Sequence, residues 1–329
     1  MQQLIQRESQ MKKFALIGVG GYVAPRHLRA IKETENSLVA ALDKNDSVGI
    51  IDSYFPNADF FTEFERFDRH LDKLRRKNKG HIDYVTICSP NYLHDAHVRF
   101  ALRIGADAIC EKPLVLNPWN VDALGDIANE TGRKIHTILQ LRLHPAIKQL
   151  KEAVDNSPRS KIYDIDLTYI TMRGHWYTAS WKGDEKKSGG IVTNIGVHFF
   201  DMLCWIFGPV KKNVVNYYQP RRTAGILELE RARIRWFLSL NKGDLPFEPK
   251  ADTPTTYRSI TVDGKEIEFS GGFEDLHTES YKEILSGNGF ELSDVKPSIE
   301  IVSEIRKKQA VGLKGDYHPM LNDITDLER

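Results

Sequence analysis

The tripeptide Glu111-Lys112-Pro113 directly follows the apolar segment Ala108-Ile109-Cys110. That segment reads as a short strand, and in an open α/β sheet ligands bind beyond the carboxyl ends of the strands. A lysine there meets cofactor and substrate together. Its amine accepts a proton once desolvation or a nearby cation has lowered its pKa. A second polar set interrupts an apolar run. Asn194, His198 and Asp201, spaced by four and three, fall on one face of a helix beginning near Val192. Val197, Phe200, Leu203, Cys204 and Phe207 make the rest of that helix apolar, so the stripe requires partners or a cavity. Gly189-Gly190 ahead of it permits close backbone approach, and Gly196 leaves room beside the stripe. His198 titrates near neutrality. Lys112 and His198 are therefore read as a proton-handling pair, with either as the first base. A satisfied core histidine is the competing reading.

A glycine turn supplies the second half of this chemistry. Gly18-Val19-Gly20-Gly21 follows the apolar strand Phe14–Ile17 and opens a helix with Pro25 in its first turn. Glycines there permit the tight turn and let a pyrophosphate approach backbone N–H groups at a helix N-terminus. Val23 stands where the third glycine of the dinucleotide fingerprint is usual, so the turn alone is a weak signal. Asp43, at the end of the strand Leu38–Leu42, lies where an acid accepts hydrogen bonds from adenosine ribose hydroxyls. Its charge disfavours a 2′-phosphate, which points to NAD over NADP; adjacent Lys44 softens that preference. A solvated loop acid is the plainer reading of Asp43.

These groups need a scaffold that brings strand ends together. The chain has 329 residues, enough for two cores. Up to about residue 140, strands and helices alternate as in a parallel sheet with crossover helices. Tyr84–Cys88 runs into the turn Ser89-Pro90-Asn91, and a helix from about Asp95 to Ile104 stops at Gly105. Asn117 and Pro118 read as an N-cap and first helical position. Beyond residue 150 the pattern changes to period two. Ile165, Leu167, Tyr169 and Thr171 alternate, as do Ala232, Ile234, Trp236, Leu238 and Leu240. This predicts an open, largely antiparallel sheet with one covered face. Val262-Asp263-Gly264-Lys265 reads as a hairpin turn, and helices near His277–Leu285 and Val295–Lys308 follow. The fold class is α/β: a doubly wound Rossmann domain over 11–140 and an α/β domain over 141–329, the boundary falling within 135–150. Residues 1–10 are expected to be an extension before the first strand.

Composition removes other classes. Net charge is +1, from 46 basic and 45 acidic side chains, so no global field favours nucleic acid or a membrane surface. Residues 1–10 lack the apolar core of a signal peptide, and no stretch is expected to reach the roughly 20 apolar residues of a membrane span. Three cysteines, all within apolar stretches, suggest reduced thiols in the cytoplasm and no zinc signature; no metal is expected.

Several motifs together resemble the glucose–fructose oxidoreductase/inositol dehydrogenase (Gfo/Idh/MocA) family across nearly the whole length. They are Gly18-Val19-Gly20-Gly21, Ser89-Pro90-Asn91 with His94, Glu111-Lys112-Pro113, and Gly189-Gly190 through Asn194-Ile195-Gly196-Val197-His198-Phe199-Phe200-Asp201. The resemblance implies a Rossmann domain, a second α/β domain whose open sheet supports oligomers, and NAD(P)-dependent chemistry on sugars. It makes Lys112 and His198 the catalytic lysine and histidine. It places Gly18, Gly20, Gly21, Tyr22, Val23, Asp43, Ser89, Asn91, His94, Glu111, Lys112 and Gln140 at the cofactor. Asn194 stands where an acid is more usual, which departs from a lysine–aspartate–histidine triad. Within the family, the segments 21–27, 140–145 and 235–239 resemble the UDP-N-acetylglucosaminuronate 3-dehydrogenases of lipopolysaccharide O-antigen synthesis. That subgroup implies oxidation of a sugar C3 hydroxyl, NADH recycled by 2-oxoglutarate, and a homotetramer.

An acidic nucleotide sugar suits arginine forks. Arg142, Arg173, Arg221 and Arg222 are candidates, with Trp176, Tyr177, Trp181 and Lys182 forming an aromatic and basic loop. Lys112, Arg142, Arg173, Tyr177, Asn194, His198 and Arg222 are the expected substrate-side residues. Arg231, Arg233 and Arg235 alternate along a strand and are expected on its solvent or interface face. A polyol or inositol dehydrogenase, which needs no arginine set, another sugar dehydrogenase of the same family, and a catalytically silent NAD-binding regulator are the alternatives.

Overall fold

The computed structural model describes residues 11–77, 80–248, 255–267 and 275–322. Residues 1–10, read as an extension, lie outside the described residues. The chain forms two units: Met1–Val115, Trp119–Gln140 and Glu274–Val295 make the first, and Leu116–Pro118, Leu141–Phe273 and Lys296–Arg329 the second.

In the first unit six parallel strands pair in the order β3-β2-β1-β4-β5-β6, where β1 is Lys13–Ile17, β2 Ser37–Leu42, β3 Asp59–Phe61, β4 Tyr84–Ile87, β5 Asp107–Cys110 and β6 Ile135–Thr137. This is the doubly wound order of dinucleotide-binding sheets. β1, β4 and β5 read as continuous apolar runs because helices cover both faces of such a sheet; Phe14, Val85 and Ile109 are fully buried. Helix Ala24–Glu33 buries Ala24, His27, Leu28, Ala30 and Ile31 along one stripe. The sequence assigned everything after residue 140 to the second domain. The structure corrects this, because helix Leu276–Leu285 returns to the first unit. Tyr281 and Ile284 enter its core, and the Tyr281 ring stacks on Phe14 at 5.8 Å. Amphipathic spacing reveals a buried face but not which core receives it.

The second unit carries the order β12-β11-β7-β10-β9-β8, with β7 Tyr163–Thr171, β8 Val210–Gln219, β9 Arg222–Leu229, β10 Ala232–Ser239, β11 Thr256–Val262 and β12 Lys265–Glu266. Only β7 and β10 pair in parallel; the other neighbours are antiparallel. Register sets Ile165 beside Ile234, Leu167 beside Trp236 and Tyr169 beside Leu238. That face meets helix Val197–Phe207, where Phe200 packs edge-on against Trp236 at 5.3 Å and Phe199 meets Tyr169 at 4.9 Å. The expectation of a single covered face fails at one end, where Ile170, Ala224 and Phe237 on the opposite face pack with Leu245 and Leu321. The hairpin forms as read: Val262 pairs Lys265 across Asp263 (φ 51°) and Gly264 (φ 77°).

Two further readings change. Arg231 does not face solvent; it is buried and its guanidinium donates to the carbonyls of Val154 (2.7 Å) and Pro158 (2.9 Å). Arg235 is bonded to Asp164 and Asp166, and Arg233 to Asp316. The helical run Glu185–Phe207 is, by length and composition, apolar enough to cross a membrane, contrary to the sequence reading. However, 72% of its apolar window is buried in the protein, as for a core helix.

Candidate active site

The sequence-predicted cofactor residues converge because five strands, β2, β1, β4, β5 and β6, are neighbours and end on one side. Gly18 follows β1, Asp43 follows β2, Ser89 and Asn91 follow β4, Glu111 and Lys112 follow β5, and Gln140 follows β6. Gly18 adopts φ 89°, and its N–H donates to the carbonyl of Leu42 at 2.7 Å. A Cβ there would lie 2.7 Å from the carbonyl carbon of Cys88, so the turn is pressed against the end of β4 and only glycine fits. The N–H of Gly20 donates to Asp43 Oδ2 at 2.9 Å, and Asn45 N–H donates to Oδ1 at 2.9 Å. Asp43 is thereby fixed at the mouth of the glycine turn. Val23 occupies the N-cap of helix Ala24–Glu33, and no side chain caps that N-terminus. Tyr22 is 86% exposed beside it. An uncapped N-terminus behind a glycine turn suits a diphosphate. Gln140 Oε1 is a buried acceptor without a hydrogen-bond partner among the described residues. These features fit a dinucleotide.

Around the lysine the packing is dense. Ser89 Oγ hydrogen-bonds His97 Nδ1 at 2.8 Å, and burial pulls the His97 imidazolium down to about 4, keeping the ring neutral. Asn91 is buried at the head of the short turn Asn91–Leu93. His94 is buried between two carbonyls, with Nδ1 2.7 Å from Pro113 O and Nε2 2.7 Å from Ser89 O. It ties the end of β4 to the end of β5. Burial lowers its pKa, against the pull of both carbonyls and of Glu111.

Glu111, expected at the cofactor, turns inward instead. Its Oε1 accepts from His27 Nε2 at 3.0 Å and His277 Nε2 at 2.9 Å, and its Oε2 accepts from the N–H of Lys112 at 3.1 Å. Burial raises this carboxyl, but the hydrogen bonds from His27 and His277 outweigh it and hold the group well below the usual carboxylate range. The sequence places His277 only at the start of a helix and His27 only within a subgroup segment, and gives neither of them, nor Tyr281, a role at the site. His277 and Tyr281 stand four apart on one helix, a spacing that shares a face; nothing in the sequence pairs that face with Glu111. His27, Glu111 and His277 hold their ligand-type atoms within 4.8 Å of one another, close enough for a metal ion. Direct hydrogen bonds already join them.

In the second unit the expected polar stripe separates into different roles. Val192–Gly196 forms a π-turn before the α-helix Val197–Phe207, so Asn194 and His198 are offset from ideal α-helical stacking. Gly189, at φ 77°, closes the short helix Glu185–Ser188; a Cβ there would meet Thr193 at 2.5 Å. Asn194 Nδ2 donates to Tyr177 Oη at 3.0 Å. Burial raises the Tyr177 phenol, opposed by the Asn194 bond and the charges of Arg173 and Arg221. His198 is half-buried in the first helical turn. Asp201 leaves the stripe, since its carboxylate receives both Nε (2.9 Å) and Nη2 (2.8 Å) of Arg142.

That pair corrects an expectation. Arg142 is 5% exposed and its fork is closed on Asp201, so it serves the fold rather than a substrate. Arg222 is likewise bidentate to Asp244, which Ser239 Oγ also reaches. Arg221 binds Asn241 Oδ1 and the carbonyls of Arg173 and Leu240. What remains is the loop. Arg173 and Lys182 have no carboxylate partner among the described residues. Burial, then the charge of Arg173, lowers the Lys182 ammonium. That ammonium lies 5.1 Å from the Trp176 ring and 5.6 Å from Trp181. Two cations, one of them beside two indole rings, suit an anion with planar parts.

The chain resembles the WlbA (WbpB) dehydrogenase of Thermus thermophilus solved with NAD and alpha-ketoglutarate, at 48% identity and TM-score 0.90, covering 94% of this chain and 99% of that one. The same enzyme solved with NAD and UDP-GlcNAcA matches at 47% identity and TM-score 0.90, with the same coverage. D-glucoside 3-dehydrogenase of Escherichia coli (strain K12) is 29% identical over 133 residues, 40% of this chain; the chain spans only 38% of that curated relative's length. Residues 12–138 match the oxidoreductase family's NAD-binding Rossmann fold, and residues 151–245 match its C-terminal alpha/beta domain. With a glycine turn, an acid and a lysine at adjoining strand ends of a doubly wound sheet, this chain belongs to the Gfo/Idh/MocA oxidoreductase family.

Proposed function

We propose that this protein is an NAD-dependent dehydrogenase that oxidises the C3 hydroxyl of UDP-N-acetylglucosaminuronate to the 3-keto sugar. The observation that carries the reading is the near-full-length likeness to a dehydrogenase solved with NAD and that sugar. The loop of the second unit supports it from physics. Arg173 and Lys182, beside Trp176, Trp181 and Tyr177, suit a diphosphate, a carboxylate and a flat base, none of which a neutral polyol carries.

Bound NAD supplies the acceptor for the hydride of C3–H. The residues of this chain manage the proton. As the hydride departs, the C3 hydroxyl proton passes to Lys112 or His198, and the carbonyl forms. Asn194 is an amide and takes no proton, so proton handling rests on Lys112 and His198 alone. Asp43 and the turn Gly18–Gly21 would hold the cofactor's adenosine and diphosphate, and Gln140 would offer its buried acceptor. With 2-oxoglutarate as second substrate, the hydride taken from the sugar would leave as 2-hydroxyglutarate. A keto group at C3 prepares the sugar for transamination, which suits a place in O-antigen synthesis; a cytoplasmic homotetramer is part of the same proposal.

The test mixes purified protein with UDP-N-acetylglucosaminuronate, with and without 2-oxoglutarate, and identifies products by mass spectrometry. A sugar lighter by two hydrogens and 2-hydroxyglutarate are expected. Turnover of inositol with none of the acidic sugar would overturn the assignment in favour of a polyol dehydrogenase. Cofactor binding without turnover of either would make the protein a regulator.

A further inference from the structure

Glu111 sits in the first unit as a charge whose every visible neighbour donates to it or stays neutral beside it. The network has one consistent proton arrangement. Carboxylate oxygens only accept, so His27 and His277 both present Nε2–H to Oε1. His27 Nδ1 is then an acceptor and receives the O–H of Tyr281 at 2.9 Å. Tyr281 Oη in turn receives the Thr86 hydroxyl at 2.8 Å. All five groups are buried. Burial lowers the His27 pKa and raises that of Tyr281, so both remain neutral. The thiols of Cys88 and Cys110 are raised by burial first and by the Glu111 charge next, and stay protonated. His94, from the neighbouring helix, feels Glu111 and Lys112 with opposite signs. The cluster therefore places one fixed negative charge beneath the end of β5, next in sequence to Lys112.

We infer that Glu111 is a positioning residue for Lys112. Its Oε2 holds the lysine's N–H, and its charge biases the lysine toward the ammonium that proton abstraction creates. Tyr281 and Thr86 act one step further back by fixing the tautomer of His27. This rests on the proposed role of Lys112 as a proton acceptor, but the bias can be read without turnover.

The experiment uses the full chain with its lysines reductively methylated with ¹³C-formaldehyde, and follows the Lys112 resonance by NMR as pH is raised. The resonance is assigned by its loss in Lys112→Arg. In Glu111→Gln the Lys112 titration moves to lower pH, because the isosteric amide removes the charge and keeps one acceptor oxygen, which the Lys112 N–H and the histidines then compete for. The limb of the pH–turnover profile that reports the proton acceptor moves the same way, with NAD affinity retained. Tyr281→Phe gives a smaller shift in the same direction and stands in should Glu111→Gln not fold. Identical Lys112 titration in the wild type and in a folded variant would overturn the inference. So would stoichiometric divalent metal in the purified protein, which would make the cluster a metal centre. If the wild type turns over no sugar while the titration still shifts, the functional proposal fails and the electrostatic one stands.

Discussion

The interior beneath Lys112 and the loop 173–182 use charge in opposite ways. Glu111 is buried and receives three donors, so its charge is held in place and its acceptor sites are filled from within the fold. Arg173 and Lys182 have no carboxylate partner among the described residues, and Lys182 lies against the rings of Trp176 and Trp181. The difference separates positioning from binding. A charge saturated by its own fold can orient a neighbour but holds no ligand. A cation pair left uncompensated gains its partner when an anion arrives. The second unit contains its own control, because Arg142 is as closed as Glu111, on Asp201.

Substitutions sharpen this contrast in descending order of effect. Lys112→Met, which removes the acceptor above Glu111, is expected to cut turnover by at least ~10²–10⁴-fold while NAD binding persists, measured by steady-state kinetics and cofactor titration. Arg142→Ala leaves Asp201 buried without its partner and is expected to cost about 3–5 kcal/mol of stability, read from denaturant unfolding. If it instead raised the sugar's KM in a fully stable protein, Arg142 would belong with the loop. Arg173→Ala and Lys182→Ala are expected to do just that. Each should raise KM for the acidic sugar about tenfold or more, at about 1.5–3 kcal/mol per charged hydrogen bond, and leave NAD affinity unchanged. Added salt should narrow the gap between these variants and the wild type.

How far the sequence alone reaches differs between the two regions. The strand ends were legible because a parallel sheet puts its loops on one side, and Gly18, Asp43 and Lys112 each carry a local signal. The doubly wound order followed from alternation of elements. The return of helix Leu276–Leu285 did not, since a buried stripe does not name its core. Glu111 was misjudged for the same reason: its partners lie 84 and 166 residues away. The arginines show the limit most plainly. Arg142, Arg173 and Arg222 look alike in sequence, and only their contacts tell a closed fork from an open one.

The smallest predicted effect concerns acid. His27 has a lowered pKa, from burial first, so the unfolded state binds the proton more readily. Stability is therefore complete above about pH 6.5 and declines as pH falls below it. Glu111, also depressed, adds a further loss only below about pH 4.3. The unfolding temperature should fall through the upper window in the wild type and less steeply in His27→Gln. An equal slope would remove His27 from the network.

The central claim, that this protein oxidises the sugar at C3 by hydride transfer to NAD, is tested most directly with UDP-N-acetylglucosaminuronate deuterated at C3. In a single turnover with NAD, deuterium should appear on the reduced nicotinamide and the sugar should become the 3-keto form. Deuterium retained on the sugar, with both ligands bound, would contradict the account.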